Sequence, residues 1–257
     1  MTTAEQQYRT IVDKVMQSKI IQYPSKGECK VGVHASIYLH PDELPLIQGR
    51  KMYPQGIVGE LKAFIKNAAS VEEFEECGCG FWGAWANDDG SLDVDYARLL
   101  HNFNGVNQLQ RVIKQLKETP DSRKIVLSLW DPSSKAKQVP CVLSYQWLVL
   151  DGELSMFWTQ RSADIMVGLA SDMLSAWLFN TLLAREVGLK PSTVVMNLHH
   201  CHIYKEHYTG AEEYLQLTKN KIFDPIKYEL NGKLLDDFSL KIISYPYQKS
   251  IKFDLKI

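Results

Sequence analysis

The apolar residues Tyr8, Ile11, Val12, Val15 and Met16 recur at three- and four-residue intervals, which predicts an amphipathic helix over the first ~20 residues. Pro24-Ser25-Lys26-Gly27 breaks it. Residues 29–40, CKVGVHASIYLH, alternate and are β-branched enough for a strand, and Pro41-Asp42 with Pro45 mark a turn region. A second helix is expected from Ile57 to Ala69, carrying Glu60 and turning Leu61, Phe64 and Ile65 inward. Val106, Leu109, Val112, Ile113 and Leu116 share one face of a third helix, Val106 to Lys117, which ends at Thr119-Pro120-Asp121. Lys124 to Trp130 reads as a strand. Two further strands meet at Asp151-Gly152, a pair that supplies the positive φ angles of a two-residue type I′ turn. Asp172 to Val187 is apolar nearly all round, as a buried core helix is. Thr193 to Leu198 is a strand, and the chain from Pro225 is strand and loop, closing on the apolar Ile257. Between helices, ECGCGFWGAWANDDG (residues 76–90) is too rich in Gly, Trp and turn residues to be regular; loops of this kind more often serve function.

No repeat or linker interrupts the pattern, so one α+β domain over residues 1–257 is expected. A 45% apolar content in 257 residues supports a sizeable core. The longest apolar runs stop short of the ~18–20 residues that cross a bilayer, and MTTAEQQYRT lacks a signal peptide's apolar core, so a cytoplasmic protein without a membrane partner is expected. A formal charge of -1 leaves no basic footprint for nucleic acid; an anionic ligand would be small and locally gripped. Five cysteines are an odd number, which favours free thiols.

The chemistry concentrates between Pro140 and Trp177. Cys141 follows a proline, Gln160-Arg161-Ser162 ends the hairpin, and Asp172 opens the core helix. A thiolate is a strong nucleophile toward electron-poor carbon, and a guanidinium grips phosphate through paired charge-assisted bonds. Each residue taken singly has an ordinary reading: a buried inert cysteine, a solvated arginine, a helix N-cap aspartate. His199, His200, Cys201 and His202 crowd one strand end and cannot all converge on an ion, and Cys77-x-Cys79 lacks a second pair, so no metal is expected.

Together, Pro140-Cys141, QRSAD at 160–164, Gly168, the apolar helix from Asp172, HIY at 202–204, PDSRK at 120–124 and an apolar C-terminus resemble the thymidylate synthase family over roughly residues 22–257. The resemblance implies an α+β, thymidylate synthase-like fold with flanking helices, whose large mixed sheet packs against its mate in a homodimer. It implies transfer of a one-carbon unit from 5,10-methylenetetrahydrofolate to C5 of a pyrimidine nucleotide. In that reading Cys141 is the nucleophile, Glu60 relays protons at the C4 side, and Tyr96 lies near the acid–base network. Arg161, Ser162 and Gln160 face the nucleotide, with Arg161 and Ser162 on its phosphate. Arg123 and Lys124 reach the partner's phosphate site, where the family usually has two arginines. Lys26 stands near the place of an Arg in an Arg-Thr-Gly loop. His202 and Tyr204 hold the ribose hydroxyl, Trp82 and Trp85 form the wall for the pterin, and Asp164, Val167, Gly168 and Ser171 complete the folate side.

At the position of Asp172, thymidylate synthases carry Asn, whose amide answers the N3–H donor and O4 acceptor of uracil. Cytosine reverses this pattern. A carboxylate accepts from the 4-amino group, and its protonated form donates to N3, so Asp172 is matched to dCMP. Such an Asp resembles the bacteriophage deoxycytidylate hydroxymethylases, in which water captures the transferred carbon to give 5-hydroxymethyl-dCMP and tetrahydrofolate. Val142, His200 and Ala170-Ser171 also depart from the synthase pattern. The rival expectations are a dCMP methyltransferase that keeps hydride transfer, a dUMP-directed enzyme, and a catalytically silent regulator that binds nucleic acid.

Overall fold

A computed structural model describes residues 2–256; Met1 and the apolar Ile257 lie outside the described residues. Helix α1 (Ala4–Met16) opens with a capping box between Thr3 and Gln6 and buries Tyr8, Ile11, Val12, Val15 and Met16, the residues whose spacing predicts it. The chain then forms a strand before the expected break: β1 (Lys19–Tyr23) pairs antiparallel with β2 (Gly27–Leu39). Pro24 to Gly27 is the turn between them, closed by Gly27 at φ 76°. β1 is an exposed edge strand, so burial imposes no alternation that its sequence would record.

Helix α2 (Pro54–Ile65) runs from Pro54 rather than Ile57, with proline in its first turn, and stops before Asn67, whose φ of 60° is left-handed. It carries Glu60. Gly59 lets α2 press on the next loop, because a Cβ there would lie 2.6 Å from the Cys77 carbonyl oxygen. α3 (Val71–Glu76) and a single 3₁₀ turn at Trp82–Trp85 follow, and α4 (Asp95–His101), too short to show a period, carries Tyr96. α5 (Gln108–Glu118) is the expected amphipathic helix, capped by Asn107, which leaves Val106 outside it and exposed. β3 (Val126–Ser128) is a shorter strand than Lys124 to Trp130 suggests, with the loop after it turned by Asp131-Pro132.

β4 (Val142–Leu150) and β5 (Glu153–Gln160) form the predicted hairpin, with Asp151 at φ 49° and Gly152 at φ 76°. β6 (Ala163–Asp164) leads through a π-turn, Ile165–Leu169, into α6 (Ala170–Val187). The helical path therefore begins before Asp172. Asp164, which accepts from the Met166 and Val167 N–H groups at 3.0 and 3.1 Å, supplies the cap that the sequence offered to Asp172. By length and composition alone Ile165–Val187 is long and apolar enough to cross a membrane, but Asp172, Arg185 and Glu186 interrupt its apolar run as expected, 78% of its apolar window is buried inside the protein, and it is the core helix.

β7 (Lys190–Tyr204) is far longer than Thr193 to Leu198 and continues through the His-rich segment. α7 (Tyr208–Leu217), β8 (Lys227–Asn231) and β9 (Ser239–Ser244) complete the regular elements. The large sheet runs β1-β2-β7-β5-β4-β3 with β6 beside β7; it is mixed because β5 and β6 lie parallel to β7 while the other pairs are antiparallel. Its inner face packs on α6 through Tyr145, Trp147, Trp158 and Met196. Its outer face presents Tyr38, Leu148 and Leu150 to solvent. A smaller apolar cluster under the 82–85 turn centres on Phe74 and Trp82.

Candidate active site

The β4–β5 hairpin brings the two halves of the motif together. Val142 is paired with Gln160, and the Arg161 N–H donates to the Cys141 carbonyl at 2.8 Å. Above this end of the sheet lies a cavity of about 750 Å³, an ordinary size for a ligand site. It is lined by Lys26, Glu60, Trp82, Trp85, Tyr96, Cys141, Gln160, Arg161, Ser162, Asp164, Val167, Gly168, Ser171, Asp172, His202 and Tyr204, which the sequence reading had drawn from six separate segments. Arg123 and Lys124 do not join them; both are exposed on the stretch before β3.

Arg161 anchors the thiol loop, donating from Nε to the Pro140 carbonyl at 3.0 Å and from Nη2 to the Val139 carbonyl at 3.2 Å. Its guanidinium also stacks on Trp130, 5.3 Å from the ring centroid. The Tyr96 hydroxyl oxygen accepts from the Cys141 N–H at 2.8 Å, so α4 and β5 hold the thiol loop from two sides. Burial first, then the negative charge of Asp172, pushes the Cys141 thiol up to about 11, with Arg161 opposing. In the ligand-free protein it is a neutral thiol at pH 7.

Two carboxyl groups, Glu60 and Asp172, line the same cavity. Burial pushes Glu60 up to about 7, opposed by the Trp82 indole N–H that donates to its Oε1 at 2.8 Å and reinforced by the charge of Asp172. Burial likewise pushes Asp172 up to about 7, opposed by the Gln160 amide that donates to its Oδ2 at 3.0 Å and reinforced by Asp164. Both side chains keep some exposure toward the cavity, yet its apolar walls enclose them. Each therefore exchanges a proton near neutral pH, as general acid–base groups must.

His202 donates from Nδ1 to the His200 carbonyl at 3.1 Å and stacks edge-on against Tyr204, 4.9 Å between centroids. Burial holds its pKa below the usual value, so the ring is neutral and its other nitrogen is an acceptor. His200 pairs instead with the Tyr23 hydroxyl at 2.6 Å. The histidines thus run along β7, and among the described residues no cluster of His, Cys, Asp and Glu is arranged to hold a metal.

Beside α2, the aromatic rings of Tyr53, Phe81, Trp82 and Trp85 line the cavity, a surface fitted to a flat heterocycle. The C-terminal segment covers the same cavity with Ile251, Phe253 and Leu255, held by Phe253 against Arg50 and by a 2.9 Å bond between His207 Nε2 and the Asp254 carbonyl. Three contributors went unnamed in the sequence reading. Gln138 Nε2 lies 3.9 Å from the Cys141 sulfur, Arg50 bonds the Met166 carbonyl from a loop, and Trp158 donates to Gln160 at 2.9 Å. Only Trp158 left a signal, being two residues before Gln160 and so on the same face of its strand.

The family model described as Thymidylate synthase matches residues 6–257. A thymidylate synthase of Fusobacterium nucleatum is 31% identical over 225 residues, covering 84% of this chain and 81% of that protein. One from Corynebacterium aurimucosum is 29% identical over 225 residues, covering 84% of each. The chain belongs to the thymidylate synthase family, whose members carry out folate-dependent one-carbon transfer to pyrimidine nucleotides.

Proposed function

We propose that the protein is a deoxycytidylate 5-hydroxymethyltransferase: dCMP, 5,10-methylenetetrahydrofolate and water give 5-hydroxymethyl-dCMP and tetrahydrofolate. The observation that carries the reading is Asp172, a carboxyl group at the base-reading position that burial holds near pKa 7. Cytosine offers an acceptor at N3 and a donor at its amino group, and a half-protonated carboxyl answers both.

When bound, the folate would supply the one-carbon unit, and the aromatic surface beside α2, with Asp164, Val167, Gly168 and Ser171, would hold it. The chain's own residues do the rest. Arg161, Ser162 and Lys26 take the phosphate, and His202 with Tyr204 the ribose. Cys141 gives its thiol proton to solvent in the cavity and its sulfur bonds to C6, the displaced electron pair moves through C4 to N3, and N3 takes the proton of Asp172. C5 is then the nucleophile toward the one-carbon unit. Glu60 and Tyr96 line the same cavity, and in this reading they take the proton that leaves C5. Supporting the dimer that the family forms, the outer sheet face exposes Tyr38, Leu148 and Leu150 for a second copy. Arg123 and Lys124, exposed and away from their own cavity, are free to complete the mate's phosphate site.

The test is release of tritium from C5 of dCMP and of dUMP, followed by the mass of the product. Faster release from dCMP, a hydroxymethyl gain and no dihydrofolate absorbance are expected. Dihydrofolate formation from dCMP replaces hydroxymethylation with methylation. Preference for dUMP sinks the base assignment and sets the chain beside the two relatives named as thymidylate synthases. Loss of release in Cys141→Ala removes the silent-regulator reading.

A further inference from the structure

The Asp172 carboxyl does not stand free. On β5, Trp158 and Gln160 are alternate residues on the inner face, 4% and 2% exposed. The Trp158 indole N–H donates to Gln160 Oε1 at 2.9 Å, and Gln160 Nε2 donates to the Ser162 carbonyl and to Asp172 Oδ2, each at 3.0 Å. An indole nitrogen is only a donor and a carbonyl oxygen only an acceptor. Turning the amide over would set its NH₂ against the indole N–H and its oxygen against the Ser162 carbonyl, two repulsive contacts in a buried site. The orientation of Gln160 is therefore fixed by Trp158 together with the Ser162 carbonyl, and both its protons are committed.

We propose that Trp158 is a positioning residue for substrate choice: through Gln160 it keeps Oδ2 of Asp172 an acceptor, confines the carboxyl proton to Oδ1, and so presents the donor–acceptor pattern that reads cytosine and rejects uracil. The inference rests on the dCMP reading above. Protonated Oδ1 donates to N3 of cytosine, while the second lone pair of Oδ2 takes the 4-amino N–H. Uracil needs the opposite polarity, an acceptor for N3–H and a donor for O4. That would move the proton onto the oxygen already accepting from Gln160 and weaken that bond.

The groups facing Asp172 leave this task to Gln160. Glu60 of α2, Tyr96 of α4, Cys141 and Tyr145 at the start of β4, and Asp164 before the π-turn surround it, and none is a cation. Among the described residues, Gln160 is the neighbour that favours the charged form of Asp172.

Trp158→Phe keeps a ring and removes the donor. The experiment measures tritium release from dCMP and dUMP and the affinity for dCMP across pH, on wild type and variant whose unfolding midpoints show both folded. The expected result is a roughly ten-fold fall in the dCMP-over-dUMP ratio, equal to about 1.4 kcal/mol. The pH at which dCMP affinity is lost should also move upward, because Asp172 loses a fixed donor and holds its proton longer. A merely structural tryptophan would lower stability or overall rate and leave the ratio and that midpoint unchanged; this result overturns the proposal. If Trp158→Phe does not fold, Trp158→Leu removes the same donor with a smaller apolar side chain, with the same expected and overturning outcomes. Wild type preferring dUMP defeats the functional reading itself, whereas wild type preferring dCMP beside an unaltered variant defeats only the role of Trp158.

Discussion

Replacing Glu60 by glutamine should remove the activity and make the ligand-free protein more stable, by a margin that grows from about pH 4.5 and is complete above about pH 7. Folding takes the carboxyl from an ordinary 4.5 to about 7, chiefly by burial. A folded-state pKa above the unfolded one means that the folded protein binds the extra proton. The stability this contributes is complete below about pH 4.5 and is lost as pH rises through about 7. At about 1.36 kcal/mol per pH unit the ceiling is about 3 kcal/mol, which solvent in the cavity reduces to roughly 1–2 kcal/mol. Glutamine has nearly the same shape, keeps an oxygen for the Trp82 indole N–H, and never ionises. Thermal unfolding of both proteins at equal concentration should show Glu60→Gln melting roughly 3–6 °C higher at pH 8.5 and no higher at about pH 4. Equal midpoints at pH 8.5, or the same gain at both values, would refute the account of a carboxyl strained by burial. Tritium release from C5 should fall in the variant by two or more orders of magnitude, since proton relays contribute about that much.

Asp172→Asn removes the charge that helps to hold the Cys141 thiol near 11; alkylation of Cys141 by iodoacetamide should become several-fold faster at pH 8.5, and an unchanged rate would show that burial alone sets the thiol. Lys26→Met should raise the KM for the nucleotide about ten-fold with little change in kcat, and an unaltered KM would remove Lys26 from the phosphate site. Mixing Cys141→Ala with Arg123→Ala subunits should restore activity that neither has by itself if Arg123 serves the mate's site; no recovery in mixed dimers counts against that geometry. Gly49→Ala should cost about 3 kcal/mol in urea unfolding, because its Cβ would fall 2.3 Å from Thr218 Cγ2 and 2.8 Å from the buried Glu5 carboxylate.

Local chemistry was legible wherever one short segment decided it. The period of α1 and α5, the Asp151-Gly152 turn and the apolar run of α6 fold as their residues dictate, since each depends on neighbours a few positions away. The ordered motifs carried the family and nominated Cys141, Glu60, Arg161 and Asp172. Where burial on one face is weak or an element is short, the pattern was silent: the edge strand β1 and the helices α4 and α7 left no usable period. Asp172 looked equally like a helix cap until the π-turn showed Asp164 in that role and left Asp172 free to face the cavity. Its proton affinity was beyond the sequence altogether. That quantity comes from removing a carboxyl from water among groups drawn from α2, α4, β4 and β5, and from the Trp158–Gln160 link that opposes it. The sequence by itself determined which functional groups the protein owns; the tertiary structure decided their charge and direction, because desolvation and hydrogen-bond polarity depend on neighbours that meet only when the chain is folded.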